Sequence, residues 1–303
     1  MRFRFGRSTD GDAPGPLARP MFVGGTGRSG TTIVARLLGA HPDLHMIPVE
    51  VRFIVEAGGL CDVADSGAGV REFRRRMLGR WFYREAADGT TRGLHKLLDR
   101  EQIEDALRVF ERRLGSDPWQ AGGELVHRLL DPLASAAGAR GWIEMTPPNA
   151  RVAPTLLRLF PDMQLVHSVR DGRDVACSVA PLIWGPNDAD EALDWWAEQL
   201  EQAFAACESL PPDRVLTVRM EDLVLHERER EYARLRAFLG LDDDRAMRAF
   251  FASSVSAERA HIGRWVEQVP TDRRPAFEAH HRRLVDDLRA RGRPVPLEEA
   301  TGA

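Results

Sequence analysis

The chain has 303 residues, a net charge of −4 and 43% apolar residues, which suits one large α/β domain or two small ones and argues against a globally basic nucleic-acid binder. Its three cysteines, Cys61, Cys177 and Cys207, are far apart and lack metal-type spacing, so a reduced, cytoplasmic chain is expected. No apolar run reaches the ~18 residues that span a bilayer, and the first residues lack the apolar core of a signal peptide, so no membrane partner is expected.

Residues 1–18, rich in Gly, Pro and charge, read as a flexible tail. "MFVGGTGRSGTT", residues 21 to 32, reads as strand, glycine turn and helix start, and Ile33, Val34, Leu37 and Leu38 continue the helix as one apolar face. Gly39 and Pro42 stop it, and "LHMIP" is a short extended piece. Residues 55–135 are expected to be mostly helical. Their segments "VREFRRRMLGRWFYREA" and "REQIEDALRVFERRL" place apolar residues at helical spacing, and their arginines read as solvated faces before they read as contacts to an anion. "GWIEMTP" is a second short strand, "NARVAPTLLRLFPD" a helix, and "MQLVHSVRDGRD" the clearest strand, ending in a charged turn. "VACSVAPLIWG" follows, then a helix through "EALDWWAEQLEQAFAACESL", a strand in "DRVLTVRMEDLV" and a helix "EYARLRAFLGL" ending at Gly240. Residues 291–303 read as a second tail. Strands alternating with helices predict an α/β fold, a mostly parallel twisted sheet flanked by helices.

From Gly25 the loop spacing is G-x-x-x-x-G followed by two threonines. A nucleotide-triphosphate loop carries Lys where Thr31 stands, and the only nearby cation is Arg28. Backbone N–H groups at a helix start face an anion, and glycines let the main chain approach it closely. The strand 164–169 runs into Arg170, the wrong charge for a metal and the right one for a phosphate. The chain thus offers two anion sites on two strand ends.

These two stretches resemble the motifs of sulfotransferases that use 3′-phosphoadenylyl sulfate (PAPS). The loop is similar to their 5′-phosphosulfate loop, which implies that Gly25, Thr26, Gly27, Arg28, Ser29, Gly30, Thr31 and Thr32 bind that end of PAPS. "VRDGRDVACSV" resembles their 3′-phosphate motif, with Arg170 and Ser178 as its Arg and Ser. "ERAHIGRW" is similar to the segment that closes over the cofactor: Arg259, Gly263 and Trp265 match, Glu258 departs, and Arg264 and Trp265 are implied to help close the site. The resemblance covers residues 20 to 270 and implies one domain, 19–290, of the P-loop-like sulfotransferase fold, with 55–135 as a helical insertion that forms the acceptor region.

"HPDLHMIPVEVRFIV" resembles the corresponding stretch of tyrosylprotein sulfotransferases and related bacterial enzymes, and implies Glu50 as general base beside Arg52. His41 and His45 are rival bases, and the alternative for Glu50 is a plain ion pair with Arg52. Arg28 stands where cytosolic members carry Lys and is implied to contact the sulfonyl and bridging oxygens. A second family lysine is replaced by Met145, so either Arg28 suffices, or Lys96 or another arginine substitutes, or activity is weak. Glu144, Thr146 and Asn149 lie near that strand end as substrate contacts, with turn and cap roles as alternatives, and Arg52 is a further substrate candidate. The implied reaction is metal-free transfer from PAPS to a hydroxyl acceptor, a sugar, lipid, secondary metabolite or other small molecule, with no nucleic-acid partner. Two other readings stay open: a P-loop small-molecule kinase using Asp171 and Asp174, and a nucleotide-binding member that has lost transfer.

Overall fold

The computed structural model describes residues 19–86 and 89–295. Its strands are β1 (Met21–Gly25), β2 (Leu44–Met46), β3 (Arg84–Glu85), β4 (Thr91–Arg92), β5 (Gly141–Glu144), β6 (Gln164–Val169) and β7 (Val215–Arg219). Five of them form one all-parallel sheet in the order β2-β5-β1-β6-β7, and β3 and β4 pair antiparallel in a separate ribbon. β1 and β6 are buried along their whole lengths, as central parallel strands covered on both faces must be.

Helices α1 (Thr31–Leu38), α2 (Leu60–Ser66), α3 (Val70–Met77), α4 (Arg100–Arg113), α5 (Pro118–Ala136) and α6 (Ala153–Leu159) precede β6. After it come α7 (Gly172–Val179), α8 (Ala189–Glu208), α9 (Arg228–Leu239), α10 (Arg245–Ser254), α11 (Ala257–Ala260), α12 (Trp265–Gln268) and α13 (Arg274–Ala290). On one side of the sheet, Phe22 packs on Trp142 and Phe160, in one apolar cluster with Phe53, Phe73, Trp81 and Phe110 of the 47–136 stretch. On the other, α1, α9 and α10 cover Val23, Ile143 and Val218. A third cluster joins α7, α8 and α13 around Trp196.

The predicted alternation of strands and helices is present. The stretch expected to be helical from Val70 onward is helical only to Met77; the chain then turns back as the β3–β4 ribbon. The returning strand is packed tightly on that turn: a Cβ on Gly93 would be 2.5 Å from the Phe82 oxygen. Of the second expected tail, residues 291–295 are described and packed. Val295 is buried, and Arg293 pairs with Glu201 at 2.8 Å and with Glu208. The tail expected at 1–18 lies outside the described residues, as do 296–303.

The chain leaves β1 toward β2 on one side, and reaches β6 on the other side only after β5. The order therefore reverses at β1, where open α/β sheets present a crevice at the carboxyl ends of their strands. The parallel register pairs Gly25 with Ser168, so the turn after β1 and the Arg170 turn after β6 leave the sheet side by side.

Candidate active site

The turn after β1 is a cradle of amides. Gly27, Arg28 and Gly30 have φ of 89°, 58° and 91°, a left-handed path that glycine tolerates and Arg28 adopts under constraint. Among the described residues, the amides of residues 27–30 find no backbone acceptor, and Gly30 caps α1 without a side-chain bond. The glycines are also spacers. A Cβ on Gly24 would sit 2.3 Å from the Ala150 nitrogen, and one on Gly30 2.5 Å from the Met220 sulfur. Ser168 Oγ donates to the Ser29 carbonyl at 2.6 Å and braces the turn from β6. Ser29 is wholly buried, and among the described residues its Oγ has no partner. Thr26 and Thr31 are buried, and Thr32 is exposed.

The Arg28 side chain leaves this turn and donates from Nε to Ser178 Oγ on α7 at 2.7 Å. Arg170 donates from Nη1 to the Arg28 carbonyl at 3.2 Å and from Nη2 to the His261 carbonyl at 2.8 Å, while Asp174 sits 3.2 Å from Nη2. Asp174 in turn accepts from the amides of Gly263 and Trp265 at 2.8 and 3.1 Å. One chain of contacts therefore ties the β1 turn, the β6 end and the segment 261–265 together. Sequence reasoning missed Asp174 as the brace of that segment; the i, i+4 spacing from Arg170 was the available signal.

Trp265 is not at this face. It is 4% exposed, lies under the Arg173 guanidinium at 4.5 Å and contacts Phe277, so it anchors the segment in the α7–α13 core and does not close over a ligand. Arg259 and Arg264 are exposed on the same segment. Asp171 is spent on Arg173, which holds its carboxyl below the usual range although burial opposes this. With Asp174 bound to amides, neither aspartate of the kinase reading is free.

Glu50 follows β2. Arg52 donates from Nε to Glu50 Oε2 at 2.7 Å and from Nη1 to Glu56 at 2.9 Å, and Glu56 also accepts from Arg80 and Trp81, each at 2.6 Å. The ion pair offered as the alternative for Glu50 is present, yet the carboxylate is a third exposed and its Oε1 has no protein partner among the described residues. Arg52 is engaged twice and is a positioner of Glu50, not a free substrate contact. Burial works against its charge, but the two carboxylates outweigh it and raise its pKa.

Glu144, Thr146 and Asn149 do not face solvent. Glu144 accepts from the Val51 amide at 2.9 Å, the Thr146 amide at 2.9 Å, the Thr146 hydroxyl and Asn149 Nδ2 at 2.6 Å. Burial raises its pKa despite these donors. Asn149 also donates to the Val23 carbonyl at 3.1 Å. The three are a buried clamp that fixes the residue after Glu50 to the end of β5. His41 is buried, with its Nδ1 accepting from the Asp43 amide at 3.2 Å and its Nε2 bonded to Asp242 at 2.7 Å. Both ring nitrogens are spent, so it is a helix-end residue. His45, half-buried on β2, has its pKa lowered by burial.

The model of the sulfotransferase family matches residues 20–245. The chain belongs to the sulfotransferase family. It is 23% identical over 214 residues to a protein-tyrosine sulfotransferase of Drosophila melanogaster, covering 69% of this chain and 36% of that one. It is 26% identical over 231 residues to protein-tyrosine sulfotransferase 2 of Gallus gallus, covering 73% and 51%. The chain thus spans about half the length of these curated relatives or less. The sulfotransferase domain of the olefin synthase of Synechococcus PCC 7002 superposes with a TM-score of 0.54 at 18% identity, over 96% of this chain and all of that one. The sulfotransferase domain of the curacin pathway gives 0.51 at 16%, over 93% and all of it. These confirm the α/β fold of the family. Among the described residues, no helix of this sulfotransferase is long and apolar enough to cross a membrane.

Proposed function

We propose that this sulfotransferase moves a sulfuryl group from PAPS to a hydroxyl of a small-molecule acceptor, with Glu50 as general base and without a metal. The observation that carries the reading is the hydrogen bond from Arg28 to Ser178, reinforced by Arg170 on the Arg28 carbonyl. It brings the two anion grips side by side, as one nucleotide carrying two phosphates would need.

The residues fit the donor. The amides of 27–30, which find no backbone acceptor among the described residues, the Ser29 hydroxyl and the α1 N-terminus, with Gly25, Thr26, Thr31 and Thr32, would hold the 5′-phosphosulfate. Arg170 and Ser178 would hold the 3′-phosphate, and Arg259 and Arg264 would add positive charge at the rim. Bound PAPS supplies an activated sulfuryl group. Arg28 neutralises negative charge at the bond that breaks; removing such a donor costs about 3–4 kcal/mol of transition-state stabilisation. It leaves Ser178 to do so, which makes Ser178 its resting partner. Glu50 Oε1 takes the acceptor's hydroxyl proton while Arg52 holds Oε2 in place. In this reading Arg28 serves without the family's second lysine; Met145, which stands in that place, packs against the apolar cluster under α1. A cytoplasmic location belongs to the same reading, supported by three free, buried cysteines whose thiols burial pushes up to about 12, 11 and 12.

The test is transfer from labelled PAPS to a panel of phenols, sugars and alcohols, run beside thermal shifts with adenosine 3′,5′-bisphosphate and with ATP–Mg²⁺. Transfer and a shift with bisphosphate support the reading. Bisphosphate binding without turnover marks a member that has lost transfer, and a shift with ATP–Mg²⁺ alone marks a phosphotransferase.

A further inference from the structure

Two indoles stand against the loop, and nothing above uses them. A Cβ on Gly27 would lie 3.7 Å from the outer ring carbon of Trp184 and 3.8 Å from that of Trp195. The two rings meet edge to face, with centroids 6.0 Å apart, and so form a corner. Trp195 is carried by α8. Trp184 is 56% exposed and follows Ile183, which is 87% exposed, a large apolar surface for a loop between two helices. The turn that presents them is fixed: the Leu182 amide donates to Val179 at 2.8 Å and the Gly185 amide to Leu182 at 3.3 Å. Gly185 is pressed on α7 so closely that a Cβ there would be 2.3 Å from a Val179 methyl. The exposed indole is thus held in place before any ligand arrives.

We propose that Trp184 and Trp195 form the acceptor wall of this site and select acceptors whose hydroxyl is carried by a flat aromatic ring. The inference rests on the sulfotransferase reading, which assigns the loop to the phosphosulfate. A surface touching Gly27 then lies at the sulfuryl end of the donor, a ribose away from the adenine, where the acceptor hydroxyl has to arrive. A flat ring seated in the corner meets one indole face to face and the other at its edge, the two arrangements that aromatic pairs favour. A Cβ at Gly27 would meet both indoles at ordinary van der Waals distance, so the corner borders the loop directly and a seated ring lies beside it.

The experiment compares wild type, Trp184→Ala and Trp184→Phe with two acceptors, 2-naphthol and cyclohexanol. It reads KM and kcat for transfer, calorimetric affinity for adenosine 3′,5′-bisphosphate, and equilibrium binding of 2-naphthol to bisphosphate-saturated protein. Trp184→Ala is expected to raise KM for 2-naphthol about ten-fold and to change cyclohexanol about two-fold or less, with bisphosphate affinity unchanged and Trp184→Phe restoring most of the loss. Equal losses for both acceptors would reduce the indoles to loop braces, and a matching loss of bisphosphate affinity would assign them to the adenine; either overturns the proposal. If wild type transfers to neither alcohol, the sulfotransferase reading is decided separately, by the wider acceptor panel and the bisphosphate shift. The binding measurement then still decides the corner, since equal 2-naphthol affinity in wild type and Trp184→Ala rules it out.

Discussion

Around the loop, side chains bind backbone across long stretches of sequence. Arg170 reaches the Arg28 carbonyl 142 residues away, Ser168 the Ser29 carbonyl 139 away, and Asp174 the Gly263 amide 89 away. Around Glu50 the bonds are mostly short-range pairs of charged side chains, Arg52 with Glu50 two residues back and with Glu56 four residues on, and Glu56 reaches only as far as Arg80 and Trp81. The loop half, which the proposed function assigns to the nucleotide, is therefore fixed by the sheet, whereas the Glu50 half, which it assigns to the acceptor, is held by ion pairs, by the buried Val51, Phe53 and Ile54 and by one buried clamp, Glu144 on the Val51 amide. A site made this way can keep its donor grip while its acceptor region changes. The two halves should accordingly fail in different ways when perturbed.

The largest separation is expected from Glu50→Gln. It should lower kcat by roughly 10²–10⁴, the usual worth of a positioned base, and leave bisphosphate affinity within about two-fold. Single-turnover transfer and calorimetry on the same preparation check both. A normal rate would remove Glu50 from the mechanism and leave it as Arg52's partner.

Acid should act on the opposite half. His167 is wholly buried on β6 beside Phe204, with both ring nitrogens unpaired among the described residues, and burial pushes its pKa down to about 4. His281 on α13 is buried beside Trp196 and Asp171, and desolvation takes it to about 4 as well, against the opposing pull of Asp171. In both, the unfolded state binds the proton first, so the stabilising preference for the neutral ring is complete above pH ~6.5 and is lost as pH falls toward ~4. Each gap amounts to about 3 kcal/mol at the acid end. Urea titrations from pH 7 to 4 should show this loss, and His167→Leu should flatten the slope. An unchanged slope would show that His167 is not neutral and buried in solution.

Arg170→Ala should weaken adenosine 3′,5′-bisphosphate binding by about 10²-fold, the scale of an unpaired buried charge contact, and change 5′-AMP binding little. Because Arg170 also holds the Arg28 and His261 carbonyls, equal losses for the two nucleotides would mean that it acts on the loop's shape. Glu144→Gln comes next. The amide that replaces one carboxylate oxygen sets a donor against a donor, and Asn149 cannot turn over without losing Val23. A cost of about 2 kcal/mol in urea and a several-fold drop in kcat without loss of bisphosphate affinity are expected. An effect on stability alone would detach the clamp from Glu50.

The sequence made the loop, the Arg170 turn and the parallel order readable for a physical reason. Positions where backbone meets an anion or another backbone admit few residue types, so Gly27, Gly30 and the strand-end Arg170 carry a pattern. Trp265 was misassigned because a tryptophan after a glycine looks the same whether it covers a ligand or plugs a core; Arg173 and Phe277, which decide the matter, come from other elements. Glu144 and Asn149 read as substrate contacts or turn and cap residues at a strand end, and only the meeting of the chain at Val51 and Val23 buries them. The β3–β4 ribbon left no signal, since its strands are two residues each within a helix-like pattern of arginines. The indoles at Gly27 sit in stretches with ordinary helical or loop composition, and their meeting depends on α7 and α8 packing together.

The smallest effect is expected at the rival base. His41 lies between α1 and β2, near Glu50 in sequence, and a catalytic histidine would have to present a free ring nitrogen. Its Nδ1 accepts from the Asp43 amide, so the ring proton is on Nε2 and is donated to Asp242. His41→Asn keeps an acceptor that can reach the Asp43 amide and gives up only the bond to Asp242, whose side chain is 85% exposed and can turn to water. Transfer should therefore stay within about two-fold of wild type, with a smaller stability change than Glu144→Gln. Measured beside Glu50→Gln, this variant separates the two assignments directly: a hundred-fold fall in kcat for His41→Asn with a normal rate for Glu50→Gln would move the proton acceptor from the chain after β2 to the turn before it.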